Sequence, residues 1–398
     1  MTNKLDNLSK STDFYCSQKF WWLSVDLEKS KTMSCCSATP AKINFDYINQ
    51  YPGNLFNSPE MISERQQMLS NQPVASCSSA CWLPESKSQI SRRISMKSYL
   101  PTHVEPITQP EKLQIIVGSD CNMTCIYCCK YYSSAWARDI NDNGDYPINT
   151  GDDRFILKDM DRVIMKLSQK DIKSTRFNDI LLNEISCLVE SSTLKEISII
   201  GGEPLLYLDL VPLIAKLSGY GIPIKISSGL GVNTERFNKE IQKLRNYENI
   251  QVLVSAESTG QMYELLRNGN TWYRFEKNIE VLQQQGMPFQ FVCTVTNLAL
   301  LGIDDFIDYA QDVNIIWNTC TDPDFFAVHV LDEDTKMTLA DKVNNYPQSL
   351  QEIIRTVSNS AMPVVKDKLS KYLQEFTQRR SIDLGFLPLH FRSWLAQS

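Results

Sequence analysis

Short apolar runs alternate with amphipathic helical runs over residues 113–320. Such an alternation is typical of βαβ units, in which crossover helices join parallel strands. It therefore predicts an α/β fold with six parallel strands, arranged as an open doubly wound sheet or as a partial barrel. In either arrangement, ligands bind at the carboxyl ends of the strands. The predicted strands are Leu113–Val117, Glu196–Ile200, Pro223–Ser227, Ile250–Ser255, Phe289–Val295 and Val313–Trp317.

Amphipathic periodicity predicts helices between these strands and towards both ends of the chain. In the first of them, Ser58 is the expected N-cap and Pro59 takes the first helical position. Pro363 is expected to kink the last one. The predicted helices are Ser58–Leu69, Leu157–Val189, Leu208–Leu217, Thr234–Leu244, Trp272–Gln284, Ile303–Ala310 and Ser349–Phe376.

Composition shifts divide the 398 residues into three expected regions. Residues 1–110 are rich in cysteine, Ser, Asn and Gln, and predict a loop-rich domain with short helices. Residues 111–320 form the strand-and-helix region, with an insertion at 130–194. Residues 321–398 form a C-terminal helical extension.

Charge and hydropathy narrow the possible partners. The net charge is -6, which gives no global electrostatic case for nucleic acid or an anionic membrane. No run approaches the roughly 18 apolar residues of a membrane-spanning helix, and Met1–Ser11 lacks an apolar signal core. We therefore expect a cytoplasmic protein. In that reducing compartment, clusters among the 12 cysteines indicate metal ligands rather than disulfides.

The central motif is a CxxxCxxC run formed by Cys121, Cys125 and Cys128, directly after the first predicted strand. Three thiolates on one tight loop suit an iron–sulfur cluster with one iron left open to a small molecule. The alternative is structural zinc, which takes four ligands, usually as two separated pairs.

A second motif, Gly201-Gly202-Glu203-Pro204, ends the second predicted strand. The two glycines allow the backbone to approach a ligand closely, and Glu203 offers an acceptor for an ammonium group. Pro204 fixes the turn before the next helix.

The two motifs together resemble the paired signature of the radical S-adenosylmethionine (SAM) superfamily, over about residues 111–320. The resemblance implies a partial (β/α)6 barrel of the TIM type. It also implies that Cys121, Cys125 and Cys128 bind a four-iron, four-sulfur cluster, and that Gly201, Gly202 and Glu203 hold SAM. Tyr127 and Pro204 belong to the same expected cofactor site.

Further matches to this superfamily follow along later strands. Ser227 and Ser228 stand where relatives carry a T-N-G at a strand end. Ser255 and Glu257 resemble part of an S-x-D-G pattern. Arg267 matches an arginine that relatives use near the SAM carboxylate, a role that suits the bidentate donors of a guanidinium.

The early cysteines Cys16, Cys35, Cys36, Cys77 and Cys81 loosely resemble the auxiliary-cluster modules called SPASM and twitch. A loop-rich segment with several clustered thiols is most easily ordered by a metal. We expect Cys16, Cys35 or Cys36, Cys77 and Cys81 to surround an auxiliary iron–sulfur cluster. Structural zinc is the alternative.

The resemblance implies reductive cleavage of SAM to a 5′-deoxyadenosyl radical, which abstracts hydrogen from a substrate. Cys320, at the end of the last predicted strand, is a candidate for returning a hydrogen atom. Relatives with auxiliary modules frequently modify ribosomally made peptides, which favours peptide maturation by crosslinking, epimerisation or splicease-type excision. A small-molecule or nucleotide substrate stays open, as does a zinc-stabilised interaction protein without activity. A flavodoxin- or ferredoxin-type electron donor and a separate leader-binding protein are the expected partners.

Overall fold

The computed structural model describes residues 14–35, 37–86, 91–95, 105–148, 154–157, 177–191, 193–358 and 363–397. The chain divides into two compact units. The first consists of Met1–Gly118, Thr175–Ile226 and Tyr247–Ile250, and the second of Ser119–Ser174, Ser227–Asn246 and Gln251–Ser398.

The strands of the described residues are β1 (Trp22–Asp26), β2 (Lys31–Met33), β3 (Ala41–Lys42), β4 (Lys112–Ile116), β5 (Glu196–Ile200), β6 (Ile224–Ser228), β7 (Ile250–Ser255), β8 (Phe289–Val295) and β9 (Ile315–Thr319). All six predicted strands are present as β4 to β9. The predicted α/β fold with parallel strands is confirmed, and it is consistent with a partial barrel.

The helices of the described residues are α1 (Phe45–Gln50), α2 (Pro59–Leu69), α3 (Leu83–Ser86), α4 (Arg92–Ser95), α5 (Ser134–Asn143), α6 (Asp179–Ser191), α7 (Leu210–Ser218), α8 (Thr234–Leu244), α9 (Gly260–Leu266), α10 (Trp272–Gln284), α11 (Asn297–Leu300), α12 (Ile303–Ala310), α13 (Glu333–Lys342), α14 (Gln348–Ile354), α15 (Pro363–Arg380) and α16 (Leu389–Ala396). Ser58 caps α2 by accepting from the Met61 amide, as expected from its sequence.

In the first unit, β1 lies between β2 and β4. Its pairing with β2 is antiparallel and its pairing with β4 is parallel. The β4–β5 and β5–β6 pairs are also parallel. Apolar side chains such as Leu23, Leu113 and Ile197 are fully buried on these strands. Each contributes about 1.5–3 kcal/mol through removal from water.

In the second unit, β7, β8 and β9 pair in parallel. Burial alternates along β7 and β8, so every second side chain enters the core. A cluster of aromatic rings packs around Tyr372 of α15. Its members are Trp136, Tyr146, Phe155, Phe325, Phe326 and Phe376.

Two expectations need correction. The N-terminal region is not only loops and short helices. Strands β1 to β3 extend the sheet beside β4, and all five residues of β1 are buried. The C-terminal helix is not one kinked element, since α14 ends at Ile354 and α15 begins at Pro363. Proline is favoured at a helix start, where its missing N–H costs nothing.

The predicted helix Leu157–Val189 lies largely outside the described residues, and its described end belongs to α6. No described helix is long and apolar enough to cross a bilayer.

Candidate active site

The cysteine loop, residues 121–128, runs beside the end of α9. The Thr124 amide donates to the Asn268 carbonyl at 2.7 Å, and the Ile126 amide donates to the Leu266 carbonyl at 2.9 Å. These two bonds fix a segment that has no helical or strand hydrogen bonds of its own.

Side chains from two helices satisfy the loop carbonyls. The indole of Trp136 on α5 donates to the Cys125 carbonyl at 3.0 Å. The Tyr372 hydroxyl on α15 donates to the Ile126 carbonyl at 2.6 Å. An unpaired buried carbonyl would cost about 1–3 kcal/mol, so these donors help hold the loop in one conformation.

Gly269 permits the close approach of the loop to the chain after α9. Its φ of +98° is disfavoured for other residues, and a Cβ there would lie 2.7 Å from the Asn122 carbonyl oxygen. The Asn122 side-chain amide also donates to the Gly231 carbonyl at 2.7 Å. The loop is therefore packed tightly against the backbone of its own unit.

The loop brings its three predicted ligands together in one patch. Cys121 and Cys125 are buried around Met123, and the partly buried Cys128 packs against them. Burial raises the pKa of Cys128 well above its ordinary value, and the neighbouring Cys129, Cys125 and Cys121 thiolates raise it further. Binding to positively charged iron would relieve this repulsion between thiolates.

Glu257 and Arg267 form a buried ion pair beside this loop. The Arg267 Nε donates to Glu257 Oε2 at 2.7 Å, and Nη2 contacts the other carboxylate oxygen. Arg267 is 7% exposed and Glu257 is fully buried. Burial alone would lower the pKa of Arg267, but the Glu257 carboxylate raises it well above its ordinary value.

The ion pair reaches the cysteine loop at two points. The Arg267 Nη1 lies 3.6 Å from the Cys125 Sγ, and the Tyr127 hydroxyl donates to Glu257 Oε1 at 2.8 Å. Burial raises the pKa of Cys125, whereas the Arg267 charge lowers it. The predicted cofactor residues Tyr127, Glu257 and Arg267 are thus one hydrogen-bonded group, and their roles towards SAM stay predictions.

The Gly201–Pro204 motif lies in the first unit. The Gly202 amide donates to the Gly118 carbonyl at 2.8 Å, and a Cβ at Gly201 would lie 2.7 Å from the same oxygen. The close approach at Gly201 is therefore to the chain's own backbone. Glu203 is fully buried and accepts from the Leu205 amide at 3.3 Å, where it caps the short turn Pro204–Leu206. Its predicted role towards an ammonium group is untested.

Three predicted serines lie at strand ends. Ser227 and Ser228 end β6, and Ser255 ends β7. The Ser228 Oγ accepts from the Leu230 amide at 3.0 Å, which supports a left-handed residue at Leu230 with φ +52°. Ser228 therefore has a local structural partner, and its contact with the cofactor stays a prediction.

Cys320 follows β9 and is buried. Its thiol donates to the Asp322 carbonyl at 3.6 Å. Burial raises the pKa of Cys320 to about 12, so this side chain keeps its S–H at neutral pH. That protonation state is the one that hydrogen-atom donation needs, and the role itself stays a prediction.

The first unit gathers the other predicted ligands. Cys16, Cys35, Cys77 and Cys81 are all buried, whereas Cys36 lies outside the described residues. Burial, together with the smaller effect of the neighbouring Cys35, Cys77 and Cys81, raises the pKa of Cys16 to about 12. Burial also raises the pKa of Cys77 to about 11, against a lowering by the Lys19 ammonium. We call these four residues the four-cysteine group.

Both the cysteine loop and the four-cysteine group offer thiols, which are the donors that hold iron–sulfur clusters. None of the described cysteines forms a disulfide. Two further side chains near Cys16 lack partners within the described residues, because the buried Gln18 side-chain amide and Tyr15 hydroxyl make no hydrogen bonds there. Orphaned polar groups next to buried thiols fit a polar occupant. Within the same ranges, no three His, Cys, Asp or Glu side chains are grouped as if around a single metal ion.

Several supporting residues were not found from the sequence. Tyr372 lies far along the chain from the Ile126 carbonyl to which it donates, and Trp136 lies on a helix outside the cysteine motif. Lys19 belongs to no recognised sequence motif. A signal existed only for Gly269, since glycine after a short helix indicates a left-handed turn.

No curated protein matches the chain. Among solved structures, a tagged form of anSMEcpe with bound AdoMet is 15% identical, with a TM-score of 0.41 and coverage of 61% of each chain. Streptococcus suis SuiB bound to precursor peptide SuiA is 12% identical, with a TM-score of 0.35 and coverage of 93% of this chain and 71% of that one. TYW1 with a lysine-pyruvate adduct is 16% identical, with a TM-score of 0.31 and coverage of 59% and 73%. This chain thus spans less than two thirds of the anSMEcpe structure's length.

Residues 115–313, half of the chain, match the family model described as the Radical SAM superfamily. The match includes the cysteine loop, the Gly201–Pro204 motif and the Glu257–Arg267 pair. The chain therefore belongs to the radical SAM superfamily, whose members use a four-iron, four-sulfur cluster with S-adenosylmethionine.

Proposed function

We propose that this chain holds a four-iron cluster on Cys121, Cys125 and Cys128 and removes a hydrogen atom from a peptide substrate. The cluster and SAM, when bound, supply a 5′-deoxyadenosyl radical that can attack an unactivated C–H bond. The observation that most supports the proposal is the buried three-thiol loop with a guanidinium at one of its sulfurs.

The chain's own residues have distinct parts in this proposal. Arg267 offsets negative charge at the Cys125 sulfur, and Glu257 holds the guanidinium in place through two hydrogen bonds. Glu203, with Gly201 and Gly202, receives the methionine amine of SAM. Cys320 returns a hydrogen atom to the substrate radical.

Iron and sulfide analysis after anaerobic reconstitution tests the cluster. We expect labile sulfide, and 5′-deoxyadenosine from SAM after reduction with dithionite. The Cys121→Ala/Cys125→Ala/Cys128→Ala variant should lose that product, whereas Cys187→Ala, a cysteine outside both groups, should keep it. Zinc without sulfide, or product from the triple variant, would contradict the ligand assignment.

A peptide is the proposed substrate class. Tyr131 and Tyr132 follow the cysteine loop and are 37% and 59% exposed. Aromatic side chains are enriched where proteins contact other chains. The four-cysteine group adds support through its resemblance to modules of peptide-modifying relatives.

Deuterium transfer from a labelled substrate into 5′-deoxyadenosine distinguishes a peptide substrate from a small-molecule substrate. A peptide encoded beside the gene, labelled with deuterium, should pass one deuterium into 5′-deoxyadenosine. Cys320→Ala should still form the labelled nucleoside but lose the modified peptide. Transfer from a labelled nucleotide or metabolite instead would favour the small-molecule alternative.

The four-cysteine group is the proposed site of an auxiliary iron–sulfur cluster. Two observations support a cluster here. The other three cysteines are close enough to Cys16 to raise its pKa, and the buried Gln18 side-chain amide near Cys16 has no hydrogen-bond partner among the described residues. Cys16→Ala/Cys77→Ala should lose iron and sulfide that the loop triple variant retains. Stoichiometric zinc in that triple variant would favour a structural zinc site.

The remaining partners belong to the same proposal. A flavodoxin- or ferredoxin-type donor would supply the electron, and a separate protein would deliver a peptide leader. A cytoplasmic location suits the described cysteines, which form no disulfides. Replacing dithionite with reduced flavodoxin should support 5′-deoxyadenosine formation, and a donor that leaves the cluster oxidised would be excluded.

A further inference from the structure

Lys19 is a buried lysine in the first unit, with 1% of its surface exposed. Its ammonium donates to Ser34 Oγ at 2.6 Å and to Ser76 Oγ at 3.1 Å. It also forms an ion pair with Glu64 of α2. The Ser76 hydroxyl donates in turn to the other Glu64 oxygen at 2.6 Å. All three protons of the ammonium are therefore directed at named acceptors.

These partners stand next to the cysteines along the chain. Ser34 precedes Cys35, Ser76 precedes Cys77, and Lys19 itself lies three residues after Cys16. One ammonium thus connects the three separate segments that carry these ligands. A backbone bond from the Thr39 amide to the Ser76 carbonyl, at 2.8 Å, joins two of the same segments.

We propose that Lys19 is a positioning residue for the four-cysteine group and that its charge raises the reduction potential of the cluster held there. The inference rests on the proposed auxiliary cluster. Its first part follows from the bonds to Ser34 and Ser76, which bring the ligand-bearing segments into register before any metal binds.

The second part follows from the cost of burying a charge. Replacing a buried ion pair with apolar residues is often neutral or stabilising, so holding segments together does not by itself require a lysine. Thiolate ligands concentrate negative charge, and reduction of a cluster adds one more. A fixed cation next to them favours the reduced form, because cluster potentials follow net charge and local hydrogen bonding.

The chain offers a matched control. Lys42 lines the same small cavity as Lys19, Ser34 and Glu64, which has a volume of about 70 Å³. Its side chain is exposed, unlike that of Lys19. Lys42→Met therefore removes a nearby positive charge without touching the bonds to Ser34 and Ser76.

The experiment uses the full chain with Cys121→Ala/Cys125→Ala/Cys128→Ala, so that only the first unit can hold a cluster. Iron, sulfide and the midpoint potential are measured by analysis and by titration followed by electron paramagnetic resonance. In this background we compare Lys19→Met, Lys19→Arg, Glu64→Gln, Lys19→Met/Glu64→Gln and Lys42→Met. Far-UV circular dichroism reports whether each variant folds.

We expect Lys19→Met to disfavour reduction at least tenfold, which corresponds to about 59 mV for a one-electron couple. Lys19→Arg should restore most of the potential, and Glu64→Gln should raise it. The double variant, which removes both charges, should return close to the parent value. Lys42→Met should leave both iron content and potential unchanged.

The outcomes separate this inference from the proposed cluster. A parent variant without iron and sulfide overturns the auxiliary cluster and this inference with it. A cluster that Lys19→Met binds at an unchanged potential overturns the inference alone. Should Lys19→Met fold but lose iron, retention of iron by Lys19→Arg and Lys42→Met supports the positioning role. Equal loss of iron in Lys42→Met overturns it.

Discussion

Removing the carboxylate of Glu257 is expected to destabilise the second unit severely. In Glu257→Gln, the Arg267 guanidinium stays buried but loses its countercharge. Two charges about 4 Å apart interact by about 4 kcal/mol at an effective dielectric constant of 20. Breaking a buried pair from one side typically costs about 3–5 kcal/mol. We therefore expect Glu257→Gln to lower the free energy of unfolding of the metal-free chain by about 3–4 kcal/mol.

The Glu257→Gln/Arg267→Met variant provides the control. With both charges gone, no uncompensated charge remains buried, and most of the loss should be recovered. The Tyr127 hydroxyl can still donate to the glutamine oxygen, so that bond does not account for the difference. Urea unfolding, followed by circular dichroism and tryptophan fluorescence, gives the energies of both single variants and the double variant.

The coupling energy between Glu257 and Arg267, obtained from this double-mutant cycle, shows whether charge or packing causes the loss of stability. A loss below about 1 kcal/mol in Glu257→Gln would refute the reasoning, because it would mean that water or another group compensates Arg267. A double variant as unstable as the single one would also refute it, since the cost would then come from packing rather than from charge.

Two further changes test the loop support and the sheet of the first unit. Gly269→Ala should lower the free energy of unfolding by about 1–3 kcal/mol and reduce the iron bound by the cysteine loop, because its Cβ would meet the loop backbone. Gly286→Ala is the control, since Gly286 also has a positive φ but faces open space. An equal loss of iron in Gly286→Ala would contradict the steric argument. Glu196 is half-buried, which raises its pKa, but Lys112 and Lys225 lower it more, so its folded-state pKa is below its ordinary value. Glu196→Gln should therefore lower the free energy of unfolding at pH 7 by up to about 1 kcal/mol, and this difference should shrink as the pH falls, since the stabilisation is present above pH 4.5 and is lost as the pH passes below the folded-state pKa. A difference that does not shrink between pH 7 and acid pH would exclude this ion-pair origin.

The strand pattern was predictable because each of β4 to β9 is a compact apolar run bounded by turn residues. Thr234–Leu244 and Trp272–Gln284 were predicted with the bounds that the structure has. In both helices the apolar residues recur with helical spacing, so local sequence determines the element. Their ends also carry the capping side chains Asn233 and Thr271.

The strands of the N-terminal region were missed for a physical reason. In β1, Trp22, Ser24 and Asp26 occupy positions that are all buried, so the polar and apolar alternation of a half-exposed strand is lost. The Ser24 hydroxyl finds its acceptor in the Gln114 side chain on β4, 90 residues away. A polar residue can thus occupy a buried strand when a distant partner satisfies it, and sequence pattern does not report that partner.

The same limit applies to the two thiol groups. Cysteine spacing predicts the donors because the ligands of a cluster lie on one loop or on a few clustered segments. It does not identify the cations beside them: Arg267 lies 142 residues from Cys125, and Lys19, although only three residues after Cys16, contacts Ser34 and Ser76 on the two other ligand-bearing segments. Yet these cations oppose the like-charge repulsion that burial intensifies among thiolates. Without iron the buried thiols stay protonated, because burial raises their pKa, and a cation beside them favours the thiolate form that binds iron. The position of such a cation is set by the fold and is found only when the fold is known.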